Sequence, residues 1–185
     1  TGNAGSTSTV KRPHSYSNNI LTNMIPPELD AEALYAQLQN KVVSALGGID
    51  KLAVVGIYSG GAWLADRLAR AMGVADVGYV DVSFYRDDFA ERGLSPEVKP
   101  SQIPFDVNGA TILLVDDVLY TGRTTRAAIN TLFDYGRPAR VMLAALVDRG
   151  GRQLPIAADF VASTATLADH ELLVLQQADD GRLTL

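Results

Sequence analysis

The chain has 185 residues, of which 47% are hydrophobic and 20% are charged, so it can form one domain with a substantial core. It has no cysteine, which excludes a disulfide framework and a thiolate metal site. Its longest apolar run (residues 141–147) is far shorter than the roughly 20 residues that span a bilayer. We therefore expect a cytoplasmic protein without a membrane partner. Its 16 basic and 21 acidic side chains give a net charge of −5, which disfavours RNA as a partner because nucleic-acid-binding proteins need a basic surface.

The N-terminal residues 1–19 are rich in Ser, Thr, Asn and Gly and are predicted to form a disordered tail. Residues 20–185 are predicted to form a single domain. Its first helix is predicted over residues 30–46, where Leu34, Leu38, Val42 and Leu46 recur at four-residue spacing and Asp30 stands in the N-cap position.

A βα unit follows this helix. Residues 52–57 predict a buried strand, residues 58–61 form the loop after it, and residues 62–72 predict an amphipathic helix. A ligand of such a unit binds at the carboxyl end of the strand, in the loop that contains Ser59 and Gly60. Residues 77–85 alternate as a strand does. The roughly twenty residues that begin at Arg86 have no apolar period, a pattern typical of a lid or a disordered segment.

The most informative stretch lies between residues 112 and 125. Four apolar residues predict a buried parallel strand that leads into Asp116 and Asp117. The next residues, 121–125, bring hydroxyl groups, a glycine and backbone N–H groups to the start of a helix, where a phosphate is favoured. Because the carboxylates would repel that phosphate, we expect them to accept hydrogen bonds from the vicinal hydroxyls of a ribose. The stretch therefore predicts a phosphoribosyl site.

Further alternating elements complete the predicted fold. The helix at 124–135 is expected to turn Ala128, Leu132 and Tyr135 inward, and the strand at 139–147 carries Asp148 and Arg149 at its carboxyl end. Residues 159–163 predict a last core strand, and an Asp-Gly turn predicts a hairpin between residues 171–176 and 182–185. This order of elements is typical of an α/β fold with a doubly wound sheet of four or five parallel strands.

Three segments carry a family resemblance. Residues 115–124 read Val-Asp-Asp-Val-Leu-Tyr-Thr-Gly-Arg-Thr, residues 134–138 read Asp-Tyr-Gly-Arg-Pro, and residues 146–156 read Leu-Val-Asp-Arg-Gly-Gly-Arg-Gln-Leu-Pro-Ile. The first resembles the phosphoribosyl pyrophosphate (PRPP) motif of type I phosphoribosyltransferases. Together they resemble the PyrR family of pyrimidine operon regulators and uracil phosphoribosyltransferases. The resemblance implies the type I phosphoribosyltransferase fold, with a mainly parallel sheet, a flexible catalytic loop, and a small hood formed by about residues 158–185 with part of the N-terminal region.

The resemblance also implies a reaction, from uracil and PRPP to UMP and diphosphate, with Mg²⁺ bound through PRPP and not directly by the protein. It makes Asp116, Asp117 and Arg86 the catalytic candidates, with the arginine on pyrophosphate and Arg92 as a second candidate there. It implies a homodimer or homotetramer. The candidates for substrate binding are Ser59, Gly60, Asp116, Asp117, Val118, Leu119, Tyr120, Thr121, Gly122, Arg123, Thr124, Thr125, Asp148 and Arg149, the last two for orienting uracil or the leaving group.

The loop at residues 58–61 departs from the family pattern. Relatives commonly have Lys-Thr-Arg-Gly where this chain has Tyr-Ser-Gly-Gly, so the backbone amides and the Ser59 hydroxyl remain while the guanidinium for pyrophosphate is absent. A charge-assisted hydrogen bond contributes about 1.5–3 kcal/mol. Either Arg67 or a hood residue replaces it, or PRPP binds more weakly.

Two alternative functions are open. Purine phosphoribosyltransferases usually have an Asp immediately before the Thr-Gly pair, where this chain has Tyr120, a poor general base at neutral pH. A UMP-dependent RNA-binding transcriptional attenuator with little catalysis needs a basic surface, for which the candidates are Arg137, Arg140, Arg149 and Arg152. We expect uracil turnover without purine turnover, and weak or absent RNA binding.

Overall fold

The computed structural model describes residues 29–82, 100–168 and 171–185. Its elements in chain order are α1 (Ala31–Leu46), β1 (Leu52–Ile57), α2 (Gly60–Met72), β2 (Val77–Val80), β3 (Thr111–Leu119), α3 (Arg123–Tyr135), β4 (Arg140–Asp148), β5 (Phe160–Thr164), β6 (Gln176–Gln177) and β7 (Leu183–Thr184). The predicted tail at residues 1–19 lies outside the described residues, as do Arg86 and Arg92. Among the helices that the structure describes, none is both long and apolar enough to cross a membrane.

The main sheet has five strands in the order β2-β1-β3-β4-β5, and every pair is parallel. The doubly wound α/β prediction is therefore confirmed. The chain runs from β1 outward to β2 on one side and then returns to place β3 on the other side of β1. Such a switch point opens a crevice at the carboxyl ends of the two strands, where ligands of this fold bind.

Helices cover both faces of the sheet. One apolar cluster joins α1 and α2 to residues such as Leu113 and Val115, and a second joins α3 to residues such as Ile112 and Leu114. Neighbouring residues of β3 thus face opposite layers, as the two-residue period of a strand requires. The stripe at positions 34, 38, 42 and 46 of α1 is fully buried, as predicted.

At the helix ends, the structure agrees with the predicted N-cap of α1 but not with the predicted orientation of the last residue of α3. Asp30 caps α1, since its Oδ1 accepts hydrogen bonds from the amides of Glu32 at 2.9 Å and Ala33 at 3.2 Å. The inward orientation predicted for Tyr135 is wrong, because this side chain is 46% exposed. As the last residue of α3, Tyr135 lies past the interior positions, and its hydroxyl reaches the Ser101 carbonyl at 3.5 Å.

Residues 160–164 belong to the main sheet, whereas β6 and β7 form a separate antiparallel hairpin. A bidentate ion pair docks this hairpin: Arg67 donates to both carboxylate oxygens of Glu32 at 2.9 and 3.0 Å and to the Gly181 carbonyl at 3.1 Å. Glu32 also accepts from the Leu183 amide at 2.8 Å. Arg67 is therefore engaged in joining α1, α2 and the hairpin, which argues against Arg67 among the alternatives for replacing the missing guanidinium.

Candidate active site

The predicted site residues converge at the carboxyl edge of the sheet. Ser59 and Gly60 follow β1, the two aspartates lie near the end of β3, and Arg149 follows β4. Parallel pairing aligns these ends, with Leu119 of β3 opposite Asp148 of β4. The remaining catalytic candidate, Arg86, lies outside the described residues.

The carboxylate pair lies within β3, which extends four residues beyond the predicted strand end at Val115. Both side chains are buried. The Asp117 amide donates to Asp116 Oδ1 at 3.0 Å, and the Val118 amide donates to Asp117 Oδ1 at 2.9 Å. These backbone donors fix the orientation of both carboxylates. The Leu119 side chain packs in the α3 cluster, so only its backbone faces the site.

Gly60 brings the start of α2 against Asp117. A Cβ atom built on Gly60 would lie 2.3 Å from Asp117 Oδ2, so only glycine allows this approach. Ser59, whose peptide bond with Tyr58 is cis, is exposed and does not cap the helix with its side chain. The loop after β1 and the Asp117 carboxylate of β3 therefore lie close together.

The loop at residues 120–122 turns β3 into α3. Gly122 adopts a left-handed conformation (φ 92°) at the N-cap, and the Arg123 amide donates to Thr121 Oγ1 at 3.2 Å. Thr124 is half-buried, and Arg123 is exposed. Thr125 is only 1% exposed, and its hydroxyl has no hydrogen-bond partner among the described residues. A buried hydroxyl in the first turn of a helix is a donor that suits a phosphate oxygen.

The segment after β4 anchors this loop, which sequence reasoning did not anticipate. The amides of Gln153 and Leu154 donate to the Thr121 carbonyl at 2.9 and 3.1 Å. Ile156 packs against Gly122, where an added Cβ would lie 3.1 Å from the Ile156 side chain. The geometry of the phosphate loop thus depends on residues about thirty positions further along the chain.

Arg152 is the main anchor. Its Nη1 donates to the carbonyls of Tyr120 at 2.6 Å, Gly150 at 3.3 Å and Leu119 at 3.4 Å, and its Nε donates to Ile156 at 3.0 Å. Its Nη2 forms an ion pair with Asp148. The four-residue spacing of Asp148 and Arg152 was the signal in the sequence that could have indicated this ion pair. Such spacing is usually read as a helical pair, whereas here Asp148 ends a strand and Arg152 lies in a loop.

The ion pair changes the interpretation of Asp148. Burial raises the pKa of this carboxyl, but the hydrogen bond from Arg152, the Gly150 amide and the arginine charge together hold it below its ordinary value. Asp148, a candidate for orienting uracil or the leaving group, forms an ion pair with Arg152 in the structure, and its role toward the substrate stays a prediction.

Arg149 lies against Tyr120. Its guanidinium carbon is 4.0 Å from the ring centroid, a cation–π geometry. The same ring contacts Gly151, where a Cβ would lie 2.4 Å from Tyr120 Cε2. Arg149 is 8% exposed, and its Nε has no partner among the residues that the structure describes. Tyr120 therefore acts as a platform that positions a buried cation at the edge of the site.

Comparison with known proteins identifies the family. Residues 26–174 match the phosphoribosyl transferase domain. The Bifunctional protein PyrR of Ralstonia nicotianae is 52% identical over 162 residues, which cover 85% of this chain and 92% of the relative. This chain belongs to the PyrR family. Another PyrR, from Thermus aquaticus, is 47% identical over 155 residues, which cover 81% of this chain and 84% of the relative.

Solved structures agree with this fold. A hypoxanthine phosphoribosyltransferase from Staphylococcus aureus superposes with a TM-score of 0.59 at 19% identity, covering 84% of this chain and 85% of the other. A hypoxanthine-guanine phosphoribosyltransferase from Bacillus anthracis gives 0.59 at 17% identity, covering 75% and 80%. At this identity the likeness concerns the fold alone, and it confirms the type I phosphoribosyltransferase fold for this PyrR chain.

Proposed function

We propose that this chain is a uracil phosphoribosyltransferase, which converts uracil and PRPP to UMP and diphosphate, in a PyrR-like regulator of pyrimidine nucleotide biosynthesis. The observation that carries the proposal is the meeting of Asp116 and Asp117 with the loop of residues 120–125 at the switch point between β1 and β3. This arrangement supports a site in which ribose acceptors and phosphate donors are adjacent. Membership of the PyrR family supports the pyrimidine assignment.

Each part of the site has a chemical role in this reaction. The carboxylates accept hydrogen bonds from the ribose hydroxyls, and their negative charge stabilises the positive charge that develops on the sugar as the bond to pyrophosphate breaks. The amides and hydroxyls of residues 121–125 hold the 5′-phosphate. The N-terminus of α2, beside Ser59, receives the pyrophosphate. Fixing both ends of PRPP aligns its C1 atom with the incoming base.

The site also fits Mg²⁺ that enters with PRPP. Among the described residues, no three His, Cys, Asp or Glu side chains are grouped so that they could hold a metal ion. Mg²⁺ is commonly bound through one or two carboxylates together with substrate phosphates and waters. Asp116 and Asp117, which accept hydrogen bonds from the ribose hydroxyls, would not ligate the ion directly, and the ion would neutralise charge on the pyrophosphate.

Measuring pyrophosphate release with uracil, hypoxanthine and guanine tests the proposal. We expect turnover of uracil only, because Tyr120 stands where the purine enzymes have an Asp. Asp117→Asn should lower kcat by about 10²-fold or more, since it removes a charge next to the reacting centre. Asp134→Asn, on the exposed face of α3, is the matched control. Turnover of hypoxanthine or guanine without uracil would contradict the assignment.

The second candidate function is UMP-dependent RNA-binding attenuation. The relatives are called bifunctional, which agrees with a second activity beside the transfer reaction. The four arginines proposed for a basic patch are divided between the two ends of β4. Arg140 begins this strand and Arg149 follows it, so nine residue steps at about 3.3 Å separate them by roughly 30 Å. Arg149 and Arg152 also have the intramolecular contacts described above. We therefore keep the expectation of weak or absent RNA binding.

A gel shift with the pyrimidine-operon leader RNA of the source genome, with and without UMP at a stated salt concentration, tests this expectation. Nanomolar UMP-dependent affinity at moderate salt would contradict it. We also propose a homodimer or homotetramer, as the family resemblance implies. Light scattering coupled to size exclusion checks this, and a monomer at micromolar concentration would contradict it.

A further inference from the structure

The geometry of the proposed reaction places the base on the β4 side of the ribose. In a displacement at C1 the incoming nitrogen approaches opposite the leaving group. The strands that flank β3 are β1 and β4. If pyrophosphate lies at the start of α2, after β1, the base must lie toward the end of β4, where Arg149 stands. This step rests on the proposed function.

The guanidinium of Arg149 has hydrogen-bond donors that are not fully satisfied. It is 92% buried, held by the Tyr120 ring, and its Nη2 reaches the Ala168 carbonyl only at a long 3.4 Å. Its Nε has no partner among the described residues. A guanidinium has five N–H donors and no acceptor, so the group that completes its hydrogen bonding must be an acceptor.

We infer that Arg149 determines specificity for uracil over cytosine by donating to the carbonyl oxygen at C4 of the base. Uracil and cytosine share the carbonyl at C2 and differ at C4, where cytosine has an amino group. That amino group would face the guanidinium donor to donor, and both would be left unpaired. A site built to hydrogen-bond one substrate group rejects an analogue that lacks it by up to 10⁴-fold or more, and we expect a preference of about 10²-fold for UMP over CMP.

The test compares UMP and CMP affinities by calorimetry in the full chain, together with turnover of uracil and cytosine. Arg149→Gln is the central variant, because its amide oxygen accepts a hydrogen bond from an amino group and its amide nitrogen donates to a carbonyl. The preference should fall from about 10²-fold to within about threefold. Arg126→Gln, exposed on α3, is the matched control and should leave the preference unchanged.

The ratio of the two affinities separates specificity from general damage, because UMP and CMP share the ribose and the phosphate. Tyr120→Leu provides a second variant that keeps the arginine but removes its platform, and it should also reduce the preference. A wild-type preference below threefold, or an unchanged ratio in Arg149→Gln, would overturn the inference. Failure of the wild-type chain to bind either UMP or PRPP would instead reject the proposed function.

Discussion

Replacing Arg152 tests whether the phosphate loop is held from outside the motif. Arg152→Met keeps an unbranched apolar stem and removes every hydrogen bond of the guanidinium. The two shorter contacts to carbonyls, with Tyr120 at 2.6 Å and Ile156 at 3.0 Å, and the Asp148 ion pair dominate the loss. A hydrogen bond to a charged group contributes about 1.5–3 kcal/mol, but such terms do not add fully. The paired side chains are 23% and 20% exposed, so water partly compensates.

We therefore expect the free energy of unfolding of Arg152→Met to fall by about 2–3 kcal/mol in urea titrations. The KM for PRPP should rise about tenfold with a smaller change in kcat, because the variant loosens a binding loop and leaves the carboxylates in place. A double-mutant cycle with Asp148→Asn should give a coupling energy of about 1 kcal/mol. Arg140→Met, exposed at the opposite end of β4, is the control.

The pH dependence of stability gives an independent measure of the same pair. Because the folded-state pKa of Asp148 is lowered, its contribution to stability is present above the ordinary value of 3.8 and is lost as the pH falls through the lowered pKa. The difference in stability between the wild-type chain and Asp148→Asn should thus shrink in acid. Additive effects in the cycle, together with an unchanged KM for PRPP, would refute the reasoning.

Four other substitutions test separate parts of the molecule. Thr125→Val should leave stability unchanged or raise it by about 1 kcal/mol while weakening UMP binding about fivefold in calorimetry; unchanged binding would mean that the hydroxyl does not contact the phosphate. Gly60→Ala should lower kcat/KM for PRPP by about 10²-fold, because the new methyl group must displace Asp117. Glu32→Gln should cost about 1 kcal/mol in urea unfolding, and no loss would show that the hairpin is docked by other contacts. Arg86→Gln should raise the KM for PRPP about tenfold without changing UMP affinity, since UMP has no pyrophosphate.

The features that could be predicted from the sequence are those that local rules determine. The apolar stripe of α1 could be predicted because buried positions recur about every four residues along one face of a helix. Asp116 and Asp117 could be placed because the last residues of parallel strands lie at the same edge of the sheet. The contacts of Arg152 could not be derived in the same way. They depend on the path of a loop between two strands, for which no period exists, so the same arginine was equally compatible with an RNA-binding patch.

In the loop after β1, the structure gives a physical reason for the glycine that stands where relatives commonly have an arginine. From the sequence, Gly60 is the place where an arginine is missing. In the structure, Gly60 is in contact with the carboxylate of Asp117, so an arginine restored there would first displace a residue that we assign to the ribose. Arg67 is held by Glu32. We then expect positive charge for the pyrophosphate to come from Arg86, from a hood residue or from Mg²⁺ that accompanies PRPP, and the Arg86→Gln measurement tests the first of these sources.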